Sequence, residues 1–437
     1  MSTNEHPAKK QKHNNDSDHP IPTSPTTSYL HASTNRTGPT AFLPSSSSTT
    51  TTTLLDHTTW TGDFSFVQLA DTQFGLGESI VSAVLEGALK NKMTLDPTLQ
   101  EYCDAVAAAR TTEGEQDHPY EFLYQRELEF SRKAVAAINT LVPRPAFTCV
   151  CGDLINAYPT EQEGRLGQQR QVNDFKQIFA DIHADIPLVC VCGNHDVGDR
   201  PNSISIDVYN NRFGDDYYSF VCRGVKFIVL NTQLYKDGRD VPAHVARQNL
   251  WLKEQLEQHR RAFNTDASAA TTTSTTTSST TTSTTSTTGA PPRIIVFSHI
   301  SPFINDPYES SEYFNLAQET RLPLLQELSD AGCTHWFCGH YHRNAGGIYR
   351  NTKDGTKTLE CVTSAAVGTT LTTKQRKVAT NDDGSAQGKG TVVLAFENQL
   401  VVVEWWWWYR EAMAYLILFF FFECFTCVAF FLVRNRG

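Results

Sequence analysis

Positive charge is scarce in this 437-residue chain: 37 Lys and Arg stand against 47 Asp and Glu, a formal net charge of -10. That balance excludes a general nucleic-acid binder, which needs a basic surface to neutralise phosphates. The basic stretch Lys9–Lys12 ("KKQK") sits in a polar tail and reads as solvated charge rather than as a nuclear address. No apolar leader opens the sequence, from which a cytoplasmic location is expected. No internal repeat is visible, which excludes solenoids and propellers. There are eleven cysteines, but the pattern is not that of a disulfide scaffold. Most lie within apolar runs such as "FTCVC" and "LVCVC", where they read as buried free thiols in a reducing compartment.

Two segments lack the apolar content to fold. Residues 1–58 are rich in Ser, Thr, Pro, Asn and His and cannot bury enough surface to offset their ordering entropy, so a disordered tail is expected. Residues 265–288 are almost pure Thr and Ser and read as a flexible insert. Between the tails, residues 59–409 are expected to form one large α/β domain. The C-terminal segment 410–437 is different. Its run Ala412–Val433, about 22 residues, is long enough to cross a bilayer. Arg410, Arg434 and Arg436 flank it, and Trp405–Trp408 precede it as an interfacial belt would. Glu423 near its middle opposes that reading. Two expectations therefore stand side by side. One is a membrane anchor through residues 412–433, with the catalytic domain in the cytosol. The other is a strand end followed by a faulty gene model.

The core alternates short apolar runs with helical patterns. "FSFVQLAD", "AFTCVCGD", "PLVCVCGN", "RIIVFSH" and "HWFCGH" read as strands. Helices are expected in "EFLYQRELEFSRKAVAAINTL", "VNDFKQIFADIHA", "ARQNLWLKEQLEQHRRAF" and "LAQETRLPLLQELSDAG". "YYSFVCRGVKFIVLNTQ" reads as a hairpin turning at Arg223-Gly224, and "GTVVLAFENQLVVVEW" as another near Asn398. The pattern implies sheets with helices packed outside them.

Each of the five strand candidates ends in a polar switch: Asp71, Asp153, Asn194 with His195, His299, and His340 with His342. Ligands of α/β sheets bind outside the carboxyl ends of strands, so these side chains are expected to converge. Two carboxylates in one dry crevice resist joint ionisation. Divalent cations remove that conflict, and carboxylate, amide oxygen and imidazole suit Mn, Fe or Zn. One Asp can bridge two such ions. Cys151 and Cys192 lie two residues before Asp153 and Asn194 and read as packed thiols rather than as ligands.

Asp71-Thr72-Gln73, Gly152-Asp153, Gly193-Asn194-His195-Asp196, His299 and Gly339-His340-Tyr341-His342 together resemble the five motifs of the calcineurin-like metallophosphoesterases. "LADTQFG", "IPLVCVCGNHDVG", "GDDYYSF", "YFNL" and "GHYHRNAGG" are similar to its cytosolic serine/threonine phosphatase branch. The resemblance covers about Phe64 to Trp406, apart from the Thr/Ser insert. It implies a four-layer α/β sandwich of two mixed β-sheets flanked by helices, with the metal site at the strand C-terminal ends. It also implies two divalent cations (Mn, Fe, Zn or Mg). Asp71, Asp153 and His342 would hold the first; Asp153, Asn194, His299 and His340 would hold the second, with Asp153 bridging. His195 would protonate the leaving oxygen or bind phosphate, and Asp196 would orient His195 or close the turn. Tyr341, Asn344 and Asn156 are candidate substrate contacts, with loop hydrogen bonding as their competing reading.

Two positions depart from the wider superfamily. Gln73 stands where a His is usual, so a looser first metal is expected. "GDLINAY" puts Asn156 where the well-known phosphoprotein phosphatases carry an Asp that orients the catalytic His. The expected reaction is hydrolysis of phosphomonoesters, with phosphoserine and phosphothreonine in proteins as candidate substrates, by in-line attack of a metal-bound hydroxide. A phosphodiesterase acting on nucleotides or lipid head groups, and a weakly active metal-holding scaffold, stay open as alternatives.

Overall fold

The strands that carry the polar switches are apolar on both faces because both faces are covered. In a computed structural model, which describes residues 63–76, 79, 124–159, 165–271, 293–368, 414–416 and 429–433, they fall into two sheets. Strands β1 (Phe64–Leu69), β2 (Thr148–Cys151) and β3 (Leu188–Val191) run parallel in the first. The second has the order β4-β5-β6-β7-β9-β8. It is built from β4 (Tyr218–Cys222), β5 (Val225–Val229), β6 (Ile294–Phe297), β7 (Cys333–Cys338), β8 (Ala345–Arg350) and β9 (Thr358–Thr363). β5, β6, β7 and β9 are parallel, while β4 and β8 are antiparallel edges.

Successive side chains of a strand point to opposite faces. Accordingly Phe66, Cys149, Cys151, Val189, Phe227, Phe297 and Phe337 fill the space between the sheets. Their alternates Val67, Leu69, Val150 and Cys190 pack outward with Leu128, Val135, Val172 and Phe175. These last four belong to helices α1 (Gln125–Thr140) and α2 (Arg165–Phe179). On the far side of the second sheet, Ile228, Ile294, Val296 and Trp336 pack with Leu252, Leu256, Leu325 and Leu328. They face α6 (Pro242–Thr271) and α7 (Gln318–Asp330). Short helices α3 (Asn194–Val197), α4 (Ser203–Phe213) and α5 (Gln233–Asp237) complete the connections. The result is helix, sheet, sheet, helix: the mixed α/β sandwich expected. The middle layer is aromatic, with Phe66 stacked on Phe147 at 5.1 Å and edge-on to Phe227, Phe297 and Phe337. Buried Gln68 joins the sheets, donating to the Cys338 carbonyl at 2.9 Å and accepting from Ser364 at 2.6 Å.

The Arg223-Gly224 hairpin forms as read, with positive φ at both turn residues (48° and 80°), the conformation that matches strand twist. α6 continues to Thr271, into the Thr/Ser stretch; Ala267, Ala269 and Ala270 are strong helix formers that carry it there. The eight described cysteines are unpaired and buried. The C-terminal apolar run reads differently from a membrane helix wherever it is described. Ala414–Leu416 (β10) and Ala429–Val433 (β11) are strands, and β11 pairs antiparallel with β1 from Phe64↔Val433 to Gln68↔Ala429. This pairing satisfies the β1 edge, whose backbone groups are otherwise unpartnered. Among the described residues no helix is long and apolar enough to cross a membrane. The N-terminal tail (1–58), the hairpin read over 390–405, and Trp405–Trp408 lie outside the described residues.

Candidate metal centre

The two sheets present their carboxyl ends to one seam, and the loops there are tied together by their backbones. Asp71 N–H donates to the Gly152 carbonyl (3.1 Å), Gln73 N–H to the Asp153 carbonyl (2.9 Å) and Gly339 N–H to the His299 carbonyl (3.0 Å). The loops turn sharply. Asp71, Gln73, Asp153, His340 and His342 all have positive φ, between 38° and 69°. That region costs an L residue free energy, and it persists where the surroundings over-determine it, commonly at functional sites. Of the six described non-glycine residues in that region, only Arg223 of the hairpin lies elsewhere.

Glycine opens room for these turns. A Cβ at Gly193 would overlap the Asp153 carboxylate and amide nitrogen, and one at Gly152, which has φ +81°, would overlap the His299 ring. The glycine of each motif therefore lets one ligand candidate rest against the backbone of the next.

The side chains meet in two groups. Asp153, His299 and His340 offer ligand atoms within 4.8 Å of one another, as do Asp71, Asp153 and His342. Asp153 belongs to both. His299 Nε2 lies 3.3 Å from Asp153 Oδ2 and 3.1 Å from Asn194 Oδ1, while His342 Nε2 lies 3.4 Å from Asp71 Oδ1. The Cys151 carbonyl takes the other nitrogen of His299, Nδ1, at 2.8 Å. All six of these side chains are buried, as is Gln73.

The donor set fits divalent cations. His340 Nε2 and Gln73 Oε1 are buried and find no hydrogen-bond partner among the described residues. Such an orphan costs about 1–3 kcal/mol unless a cation takes it up. Gln73 is aimed by its own amide: Nε2 donates to Asn156 Oδ1 at 3.3 Å, and Asn156 Nδ2 donates to Ser79 at 2.7 Å. A divalent cation would balance the charges buried here. Burial pushes Asp71 well above the carboxylate range. Asp153 is buried too, but the His299 and His195 charges hold it low. Burial also opposes charge on His299, yet Asp153 and Asp71 raise it to about 10. Burial and His299 keep His340 neutral, the form in which an imidazole ligates.

His195 sits beside Asp153, its N–H donating to Asp153 Oδ1 at 2.9 Å. Its ring Nδ1 meets the Asn156 carbonyl at 2.5 Å, and the Tyr158 ring packs on it at 4.4 Å. Asp196 closes the turn, accepting from Gly193 N–H at 2.7 Å and Leu154 N–H at 3.2 Å; burial and Asp153 push its carboxyl up to about 8. Asn344 accepts from Ala365 N–H at 3.0 Å, and Tyr341 lies under the Arg343 guanidinium at 5.3 Å. Cys192 donates to the Asp216 carbonyl at 3.6 Å, and burial holds it protonated. Sequence reasoning missed Tyr158, Tyr313 and Asp199. The Tyr313 ring rests on His340 at 4.9 Å, and it comes from the "YFNL" loop after β6 with no periodic signal around it.

A carboxylate shared between two Asp/His groups, at the strand ends of a two-sheet sandwich, defines a metal-dependent phosphoesterase. No family model matches the chain. The mouse protein "Serine/threonine-protein phosphatase CPPED1" is 34% identical over 312 residues, 71% of this chain and 78% of the relative. The human protein of the same name is 34% identical over 313 residues, 71% and 77% respectively. Among solved structures, "Structure of PhoD" superposes with a TM-score of 0.36 at 10% identity, covering 72% of this chain and 58% of that one. The chain belongs to the CPPED1 family of calcineurin-like phosphoesterase domain-containing proteins, a membership that rests on the sequence relatives.

Proposed function

We propose that this chain removes phosphate from phosphoserine or phosphothreonine in proteins, at a site for two divalent cations. Asp153 carries the reading: its carboxylate belongs to both ligand groups and also accepts the His195 N–H. The substrate class is supported by the serine/threonine-protein phosphatase names of the relatives. Asp71, Gln73, Asp153 and His342 would hold one cation, and Asp153, Asn194, His299 and His340 the other. When bound, they supply Lewis acidity toward the phosphoryl oxygens and toward the attacking water.

The chain's own residues do the rest. Neutral His340 and the oriented Gln73 amide are ready to ligate without first losing a proton. His195 Nδ1–H donates a hydrogen bond to the Asn156 carbonyl, so Nε2 is the atom that delivers a proton to the departing alkoxide. The Tyr158 ring packs against that imidazole, tilted by 40°. Asp196 keeps the turn closed, so that His195 stays beside its neighbour Asn194. Asn156 acts through its carbonyl, Asn344 steadies the loop after His342, and Tyr341 with Arg343 borders the substrate side. The buried, unpaired thiols support a cytosolic placement.

The test is hydrolysis by metal-stripped protein with Mn, Mg, Fe or Zn restored. Substrates are a phosphoserine/phosphothreonine peptide panel, p-nitrophenyl phosphate and its bis ester. Metal-dependent release from peptides and monoester, well above the bis ester, is expected. Faster diester cleavage, or no metal-dependent turnover, would overturn the reading.

A further inference from the structure

Asn194 offers its amide oxygen to His299 Nε2 at 3.1 Å, and an amide can present either end to a site unless its NH2 is held. Here it is held twice: Nδ2 donates to Tyr158 OH at 3.2 Å and to Tyr313 OH at 3.4 Å. Each phenol in turn donates to a different oxygen of one carboxylate. Tyr158 OH reaches Asp199 Oδ2 at 2.9 Å and Tyr313 OH reaches Asp199 Oδ1 at 3.4 Å. Every proton in the network has one destination. The two amide N–H groups go to two phenol oxygens, and the two phenol protons go to two carboxylate oxygens. Reversing the amide would set its oxygen against two phenols already committed as donors to Asp199.

The three residues come from separate places. Tyr158 follows β2, Asp199 follows α3, and Tyr313 follows β6. The Tyr313 loop is itself anchored. Buried Arg321 donates to the carbonyls of Pro307 and Leu316 at 2.8 Å, and to that of Glu309. Lys236 donates to the Asn315 carbonyl at 2.7 Å and to that of Glu312. The phenol over the site is therefore placed by the fold and not left to rotate with a loose loop.

We infer that Asp199, through Tyr158 and Tyr313, is a positioning residue that fixes the Asn194 amide oxygen toward the cation group of Asp153, His299 and His340. The inference rests on the reading of Asn194 as a ligand. Partners one bond beyond a metal ligand commonly change affinity by about 10–100-fold when removed.

The experiment is a Mn2+ titration of the metal-stripped full chain, followed by calorimetry and by the electron paramagnetic resonance of free Mn2+. The variants are Asp199→Asn, the double Tyr158→Phe/Tyr313→Phe, the triple combination, and His299→Ala to mark which binding event belongs to this group. Asp199→Asn and the double variant are each expected to weaken the event that His299→Ala removes, by about tenfold. The other event should change less than about twofold. The triple variant should match the double, because both lesions cut one network. Thermal unfolding of the stripped proteins provides the control: a general structural defect would lower it and weaken both events together. Unchanged Mn2+ affinity in Asp199→Asn and the double variant would overturn the inference while leaving the cation site standing. If His299→Ala removes no binding event from the wild-type profile, the ligand reading itself fails and the inference falls with it.

Discussion

The ring Nδ1 of His195 lies 2.5 Å from the main-chain carbonyl oxygen of Asn156. A carbonyl only accepts, so the ring carries a proton at Nδ1, which leaves Nε2 for the proton transfer proposed. Sequence reading placed Asn156 where an orienting carboxylate would stand in the well-known phosphoprotein phosphatases. The backbone of that same residue does the orienting here, and its side chain is released to aim Gln73.

Replacing His195 by Ala removes the proposed proton donor but none of the residues in the two ligand groups. Phosphopeptide hydrolysis should fall by about 10²–10⁴-fold, the usual worth of general acid–base catalysis. Manganese content, read by metal analysis, should stay unchanged.

Gly193→Ala puts a methyl group into the Asp153 carboxylate and its amide nitrogen. Backbone cannot yield as a flexible side chain does, so a loss of about 1–3 kcal/mol in stability is expected. Thermal unfolding and Mn2+ uptake should fall together. A Gly193→Ala protein with wild-type melting and wild-type metal content would contradict the packing described at this turn.

On the proposed ligand set Gln73 adds an amide oxygen to the group of Asp71, Asp153 and His342, where imidazole would bind more firmly. The two Mn2+ affinities of the wild type should therefore differ. Gln73→His should tighten the weaker one, by about tenfold on the preference of these metals for nitrogen ligands. Calorimetric titration reads this directly, and two equal wild-type affinities would count against it.

The strand ends were legible because each couples a short apolar run to an abrupt polar residue, and burial on both faces makes the run continuous. Asp71, Asp153, Asn194, His299, His340 and His342 stand out for that reason. β8 and β9 were not legible. Gly346-Gly347 has poor strand propensity, and Thr358–Thr363 alternates weakly; both become strands by pairing with each other and with β7. Tyr158, Tyr313 and Asp199 carry no spacing signal, since tertiary contact alone unites them. The positive φ values at the candidate ligands are likewise invisible in composition. The apolar run near the C-terminus invited a membrane reading because length and hydropathy do not distinguish a span from apolar strands.

Lys226 gives a pH test remote from the centre. Its ammonium is largely buried, which lowers its pKa from 10.5 to about 8, and it donates to Gln255 at 2.9 Å. The folded state releases that proton before the unfolded chain does. Between pH 8 and 10.5 the unfolded state binds more protons, so this group's contribution to stability rises with pH; below pH 8 it is a fixed cost. Lys226→Met should stabilise the protein at pH 7 by about 1–2 kcal/mol after discounting for partial exposure. That advantage should shrink as pH rises through the window, measured by denaturant midpoints. Gln255 keeps the Ser219 hydroxyl as a partner at 2.9 Å.

The most direct test of the shared carboxylate is the manganese content of three proteins dialysed against the same free Mn2+: wild type, His342→Ala and Asp153→Asn. Asp153 belongs to both ligand groups and His342 to one. The expected contents are two ions per chain in the wild type, one in His342→Ala and fewer than one in Asp153→Asn. A wild type that holds a single ion, or an Asp153→Asn protein that keeps two, would contradict it.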